Sequence, residues 1–393
     1  MCLTLNSSLL LVPVEIRKDK YNYIVEDIIS GEFYEMPEIC IDAINLIYEG
    51  LRLGDIQKAL ILKYPDEVVD LIGFAEQLMD MQLIAEFDGV RLERIEKPVD
   101  RLGFLWISPT MGRFFFNKTS YCVYAALFVL NLILFIKEPV LFPHYKDLFI
   151  FKYMALNIPV WLLLTFFLVL IHEFGHVLAM RAYNLPTRLE VGHRLFLVVL
   201  ETDMSSVWKL PSKKRNVLYL AGVSFDIVIL SIALISKLIA PTSTDILQGI
   251  LNIIILDTFI RMVYQLCVYM KTDFYYVLEN ISGCYNLMEN AQQMISKRLP
   301  IFKSNEIKDD VFAGERKTVL IYSIFYCIGV LLTVSLYIFF YIPQVLFALK
   351  KVFPGFSHGP GSTSFWDATA FSLQIIIGIV LLLYSWRKKY IQR

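Results

Sequence analysis

The sequence predicts a multi-pass α-helical membrane protein of about six transmembrane helices, preceded by a small N-terminal α+β domain of winged-helix type. Three observations predict it. Hydrophobic residues make up 56% of the 393-residue chain and charged residues only 19%, against roughly 45–50% and about 25% in soluble domains, and mean hydropathy is +0.56. Apolar runs of the roughly 20 residues that a span requires begin only near residue 119. Before that point, short alternating stretches give way to helical periods and then to a second pair of strands.

Taken in order, the stretches around 9–15, 21–27 and 32–36 alternate as strands do, the last two divided by the turn signal Ser30-Gly31. Helical periods follow at about 38–49, 54–63 and 66–82, with Asp55 and Pro65-Asp66 as starts and Gly50 and Gly54 as stops. A strand pair around 83–94 turns at Asp88-Gly89. Residues 1–105 are therefore expected to form the N-terminal domain. The run Leu9 to Val14 is short and has no basic residues before it, so no signal peptide is expected there.

Spans are expected near 119–136, 154–180, 216–240, 246–270, 318–348 and 364–386. Basic residues crowd alternate connections. Arg181, Arg188, Arg194, Lys209, Lys213, Lys214 and Arg215 follow the second span. Lys271, Lys297, Arg298, Lys303, Lys308, Arg316 and Lys317 follow the fourth, and Arg387, Lys388, Lys389 and Arg393 end the chain. The intervening loops 137–150 and 241–245 are nearly free of them, and 349–363 holds only Lys350 and Lys351. The positive-inside rule then puts the N-terminal domain, the loops 181–215 and 271–317 and the tail in the cytoplasm. Lysine plus arginine equal aspartate plus glutamate at 37 each, so the chain offers a nucleic acid no electrostatic attraction. The six cysteines form no CxxC pair and read as free thiols.

The second apolar run ends in His172-Glu173-Phe174-Gly175-His176. Histidines four apart share one helix face and can grip one ion, with the glutamate beside them as general base. With five histidines in the chain, this spacing is not a chance product of composition. Three ionisable groups on a lipid-spanning helix also imply a functional purpose. The expected ion is Zn2+, which lowers the pKa of a water it holds to about 7. Catalytic zinc usually takes a third protein ligand. Asp226, Asp257 and Asp273 are the candidates. Asp257 has Arg261 four residues on and reads as its ion pair, Asp226 lies within the third span, and Asp273, closing the fourth at the depth of the histidines, is the choice. His193 falls in the loop after the histidine helix, and His144 and His358 on the far side read as surface residues.

These residues resemble the intramembrane site-2 protease class of zinc metallopeptidases (M50-type), and within it the peptide zinc metalloproteases that accompany bacterial peptide-modification systems. His172 to His176 match the zinc helix. Asp203-Met204-Ser205-Ser206-Val207-Trp208 is similar to that branch's Asp-x-Ser-x-x-Trp loop, and Ala221-Gly222 with Asp226 to its Ala-Gly-Pro and acidic residue, with Val223 in place of the proline. The segment Gln265 to Asp273-Phe274-Tyr275-Tyr276 resembles the one that ends in the third ligand. Gln265, Val268 and Phe274 stand there where the family has asparagine, proline and glycine. The N-terminal region, through Gly31-Glu32-Phe33-Tyr34, Tyr64-Pro65 and Phe74 to Leu78, resembles the PqqD-like peptide-recognition domain, whose leader peptide adds a strand at the sheet edge.

The resemblance implies a zinc metalloendopeptidase core at 119–270, with His172, His176 and Asp273 on the metal and Glu173 catalytic. The last two spans, within 318–393, lie outside it. It also implies a bacterial cell membrane, a peptide or membrane-protein substrate, and a peptide-modifying enzyme or transporter as partner. Maturation of a ribosomally made, modified peptide is the leading expectation. Regulated intramembrane cleavage of a signalling protein and a non-catalytic export or immunity role are the alternatives.

Overall fold

A computed structural model describes residues 3–93, 103–194, 197–241, 244–298 and 314–391. Cys2, Lys303, Lys308, Arg393 and the stretch 94–102 at the expected domain border lie outside the described residues. The chain divides into two compact units, Met1–Arg101 with Trp208–Lys213, and Leu102–Val207 with Lys214–Arg393.

The first unit begins with strands β1 (Leu9–Leu11), β2 (Val14–Lys18), β3 (Tyr23–Asp27) and β4 (Phe33–Met36). Helices α1 (Glu38–Tyr48), α2 (Leu53–Lys63) and α3 (Leu71–Asp80) and strands β5 (Ile84–Phe87) and β6 (Val90–Arg91) follow. Two antiparallel sheets form, in the orders β2-β3-β4 and β1-β5-β6. The β3–β4 turn is shaped by Asp27, whose carboxylate accepts Ile29 N–H at 2.9 Å and Ser30 Oγ–H at 2.5 Å. Each helix buries one apolar stripe at helical spacing: Ile41, Ile44 and Ile47; Leu53, Ile56 and Leu60; Leu71, Ala75 and Leu78. These stripes meet Val25, Leu83 and Phe87 in a single core. The third helix starts at Leu71 rather than at Asp66, because Asp70 supplies the cap by accepting Gly73 N–H at 2.9 Å.

In the second unit α4 (Pro109–Phe115), α5 (Lys118–Lys137) and α6 (Met154–Ala182) are followed by the hairpin β7 (Leu189–Arg194)–β8 (Leu197–Thr202). Next come α7 (Ser212–Tyr219), α8 (Ala221–Ile239), α9 (Asp245–Tyr264), α10 (Asp273–Ser282) and α11 (Leu287–Arg298). The last are α12 (Arg316–Leu336), α13 (Ile342–Val352) and α14 (Thr363–Ile391). Among the described residues, six helical stretches are long and apolar enough to cross a membrane: Pro109–Lys137, Met154–Ala182, Ser212–Ile239, Asp245–Tyr264, Arg316–His358 and Thr363–Arg387. The fifth is not one straight helix, since a π-helical turn at Tyr337–Tyr341 joins α12 to α13.

Three kinds of contact join these helices. Small residues allow close approach: a methyl group on Gly175 of α6 would lie 2.8 Å from the Ala221 carbonyl oxygen at the start of α8. Apolar clusters join others, as where Leu230 and Leu234 of α8 meet Leu251 and Ile255 of α9, and buried polar groups add cross-links. Asn131 of α5 donates to the Ile227 carbonyl of α8 at 3.1 Å and accepts from Ser231 at 2.8 Å. Asp367 of α14 accepts the Ala155 N–H at the first turn of α6, at 2.7 Å. The last helix, which the sequence reading left unassigned, thus braces the helix that carries the histidines.

Candidate metal centre

The centre is built on α6, where the four-residue spacing sets the rings of His172 and His176 one turn apart, centroids 5.2 Å from each other. Both rings are buried. Their Nδ1 atoms are already engaged: that of His172 lies 2.8 Å from Asp226 Oδ2 on α8, and that of His176 2.9 Å from the Leu218 carbonyl oxygen. A carbonyl or carboxylate partner makes Nδ1 the protonated nitrogen, so each Nε2 lone pair is free.

Asp273 Oδ2 lies 3.1 Å from His172 Nε2 and 3.4 Å from His176 Nε2. Donors about 2.0–2.1 Å from a tetrahedral zinc stand roughly 3.3 Å apart, and the Asp273 oxygen stands at about that separation from each ring nitrogen. The three residues form a buried group with donor atoms within 4.8 Å of one another, able to hold a metal ion. The position beside them is kept open by Gly222 of α8, where a methyl group would collide with both Nε2 atoms.

Asp273 does not close the fourth long helix, as the apolar run 246–270 suggested. The helix α9 stops at Tyr264, and Asp273 opens α10 after a break. Gln265 holds that break together. Its amide Nε2 donates to Asp273 Oδ2 at 3.1 Å, its Oε1 accepts Asp273 N–H at 2.9 Å, and its own carbonyl accepts Thr272 Oγ1–H at 2.8 Å. A residue read only as a departure from the family pattern is thus the clamp on the third donor.

Glu173 is buried beside the two histidines, and Thr202 of β8 donates to its Oε2 at 2.7 Å. The same hairpin carries Arg194, 3.7 Å from Glu201. Burial raises the Glu201 carboxyl, with Arg194 opposing and the charge of Glu173 reinforcing the rise. Behind His172, Asp226 Oδ1 lies 3.1 Å from Arg261, which lies 3.1 Å from Asp257, and Asp257 accepts Thr165 Oγ1–H at 2.6 Å. The expected Asp257–Arg261 pair is present, then, and reaches His172 through Asp226.

Of the other histidines, the side chain of His193 lies outside the described residues, and those of His144 and His358 are exposed and bond only locally. Cys40, Cys122, Cys267, Cys284 and Cys327 are free thiols. Thr202, Gly222 and the clamp by Gln265 were missed in the sequence, because each acts through a contact that only tertiary packing creates. No family model, no curated protein and no solved structure matches this chain.

Proposed function

We propose that the chain is an intramembrane zinc metalloprotease that cleaves a peptide or membrane-protein substrate, its leading task being maturation of a ribosomally made, modified peptide. The observation that carries this reading is the convergence of His172 Nε2, His176 Nε2 and Asp273 Oδ2 next to the Glu173 carboxylate. A purely structural zinc site has no need of an adjacent general base.

His172, His176 and Asp273 would hold Zn2+, which supplies Lewis-acid polarisation of the scissile carbonyl and of the attacking water. Glu173 takes a proton from that water as its oxygen bonds to the carbonyl carbon. The same carboxylate delivers the proton to the amide nitrogen as the C–N bond breaks. Thr202 donates to Glu173 Oε2 and leaves the other oxygen for this transfer. Hydrolysis needs an extended substrate, since a helical amide is shielded by its own hydrogen bonds. The hairpin β7–β8, whose β8 bears Thr202, offers backbone donors and acceptors for such a strand.

In this reading the six long apolar helices span a cell membrane, with the basic connections on the cytoplasmic side. The first unit is then a cytoplasmic winged-helix module of PqqD-like type. Its β4 lies at a sheet edge, where an extended leader peptide adds as a further strand.

The test is zinc content and cleavage in detergent-purified protein. Wild type is expected to bind about one zinc per chain, Asp273→Ala to lose most of it, and Glu173→Gln to keep zinc while losing cleavage of a co-expressed precursor. Wild-type processing by Glu173→Gln refutes the assigned base. Absence of zinc from reconstituted wild type refutes the protease reading and favours a non-catalytic peptide-binding partner.

A further inference from the structure

Behind the metal-binding face, a chain of polar side chains begins and ends on the same helix. Thr165 and His172 are both on α6, seven residues and so two turns apart, on one face of it. Between them run Asp257 and Arg261 of α9 and Asp226 of α8, with successive separations of 2.6, 3.1, 3.1 and 2.8 Å. Asp226 and Asp257 are buried, and Arg261 is 18% exposed.

Both oxygens of Asp226 are committed, Oδ1 to Arg261 and Oδ2 to His172 Nδ1. Asp226 was one of the sequence's two other candidates for the third ligand, yet its carboxylate addresses the ring nitrogen opposite to the one that faces Asp273. A carboxylate on Nδ1 fixes the imidazole tautomer and ring orientation and makes Nε2 the better donor. Such a carboxylate, buried among apolar helices, stays in place only if a cation holds its second oxygen. Arg261 faces it at ion-pair distance, 3.1 Å, and Asp257 pairs with the guanidinium from its other side at 3.1 Å, both by charge rather than by aligned hydrogen bonds, while the other Asp257 oxygen accepts from Thr165.

We infer that Asp226 is a positioning residue for His172 rather than a metal ligand, and that Arg261, anchored by Asp257 and Thr165, is the brace that makes it one. The inference rests on the metal reading of the site. The three helices α6, α8 and α9 thereby set the orientation of one donor ring jointly, so a change distant from the centre alters metal affinity without touching a ligand.

The experiment measures zinc affinity by competition with a chromophoric chelator, together with the visible spectrum of the Co2+-loaded protein. Asp226→Asn and Arg261→Met are each expected to weaken zinc by 10–100-fold. Their Co2+ spectra should keep the wild-type band intensity, because the ligand set is intact, whereas Asp273→Ala should lose it. Arg261→Lys should recover part of the affinity, since a cation still faces Asp226. Thr165→Val, which removes only the outermost hydrogen bond, should weaken zinc several-fold and decides the matter should Asp226→Asn fail to fold. Wild-type affinity in Asp226→Asn, or in Thr165→Val and Arg261→Met together, overturns the inference. A Co2+ spectrum changed by Asp226→Asn as by Asp273→Ala overturns it too, making Asp226 a ligand. Wild type that binds neither metal overturns the site reading itself.

Discussion

Gly222 has no side chain, and the space this leaves is where an ion between the two Nε2 atoms would sit. Gly222→Ala is expected to keep the helical content of the wild type while losing at least tenfold in zinc affinity, checked by circular dichroism and metal analysis. The neighbours that its methyl group would meet are ring nitrogens held by Asp226 and Leu218, which cannot swing aside freely. Full zinc occupancy would mean that the donors gather elsewhere. At this scale the sequence displayed one part of the centre clearly, since His172, Glu173 and His176 follow the period of a single helix. Gly222 and Thr202 carried no such signal: the first reaches the histidines from a different helix, and the second reaches Glu173 across 29 residues. Thr202 is itself open to test. In the proposed mechanism Thr202→Val should cut cleavage by roughly ten-fold, with zinc affinity unchanged, as expected for loss of one hydrogen bond to the proposed general base. A loss of zinc in that variant would show that the hydroxyl supports the metal face instead.

Among the elements, most boundaries were legible where a residue type dictates them, and they shifted where side chains cap or clamp the chain. The stretch 9–15, read as one strand, is broken at Val12-Pro13 into β1 and β2, which join different sheets because proline cannot continue the ladder. The later strands and first two helices follow from alternation and apolar stripes, while the third helix waits for Asp70. The fourth apolar run hid its break because Leu266, Val268 and Met270 are apolar, so periodicity and composition pass straight through residues 265–272. Beyond that break, α10 carries a second titratable feature. Glu279 is buried, accepts Tyr275 Oη–H at 2.7 Å and caps α11 through Leu287 N–H at 3.1 Å. Burial outweighs these bonds and the charge of Lys271, and its carboxyl is pushed from 4.5 up to about 7. Between those values the unfolded chain ionises while the folded one stays protonated, so the folded state binds more protons and stability falls as pH rises. The contribution is fully present below pH 4.5, fades through about pH 7 and is absent above it; its ceiling is of order 3 kcal/mol. Glu279→Gln, read by thermal melts across pH 4.5–8, should flatten that part of the profile. An unchanged slope would assign the dependence to other groups.

For the molecule as a whole, the six apolar runs gave the number of long helices because each is separated by charged or turn-forming residues. Their packing was not legible, since it depends on single residues such as Asn131, Gly175 and Asp367 whose partners lie on other helices. The proposed metal centre has a consequence at the same scale. Its donors come from α6 and α10, about 100 residues apart, so a bound ion closes a long loop within the second unit. The first unit has a separate apolar core, formed around Ile44, Ile47, Leu53, Ile56 and Leu78, and none of its described residues is among the three donors. A ligand that binds only the folded state stabilises it by about 2.7 kcal/mol at a hundredfold excess over its Kd. For a unit of this size that shifts the melting temperature by several degrees, at roughly 2–4 °C per kcal/mol. Calorimetry with and without a strong chelator should therefore lower only the transition of the second unit, and zinc should restore it. An equal shift in both transitions would mean that the units unfold together, and no shift in either would mean that the three donors hold no ion.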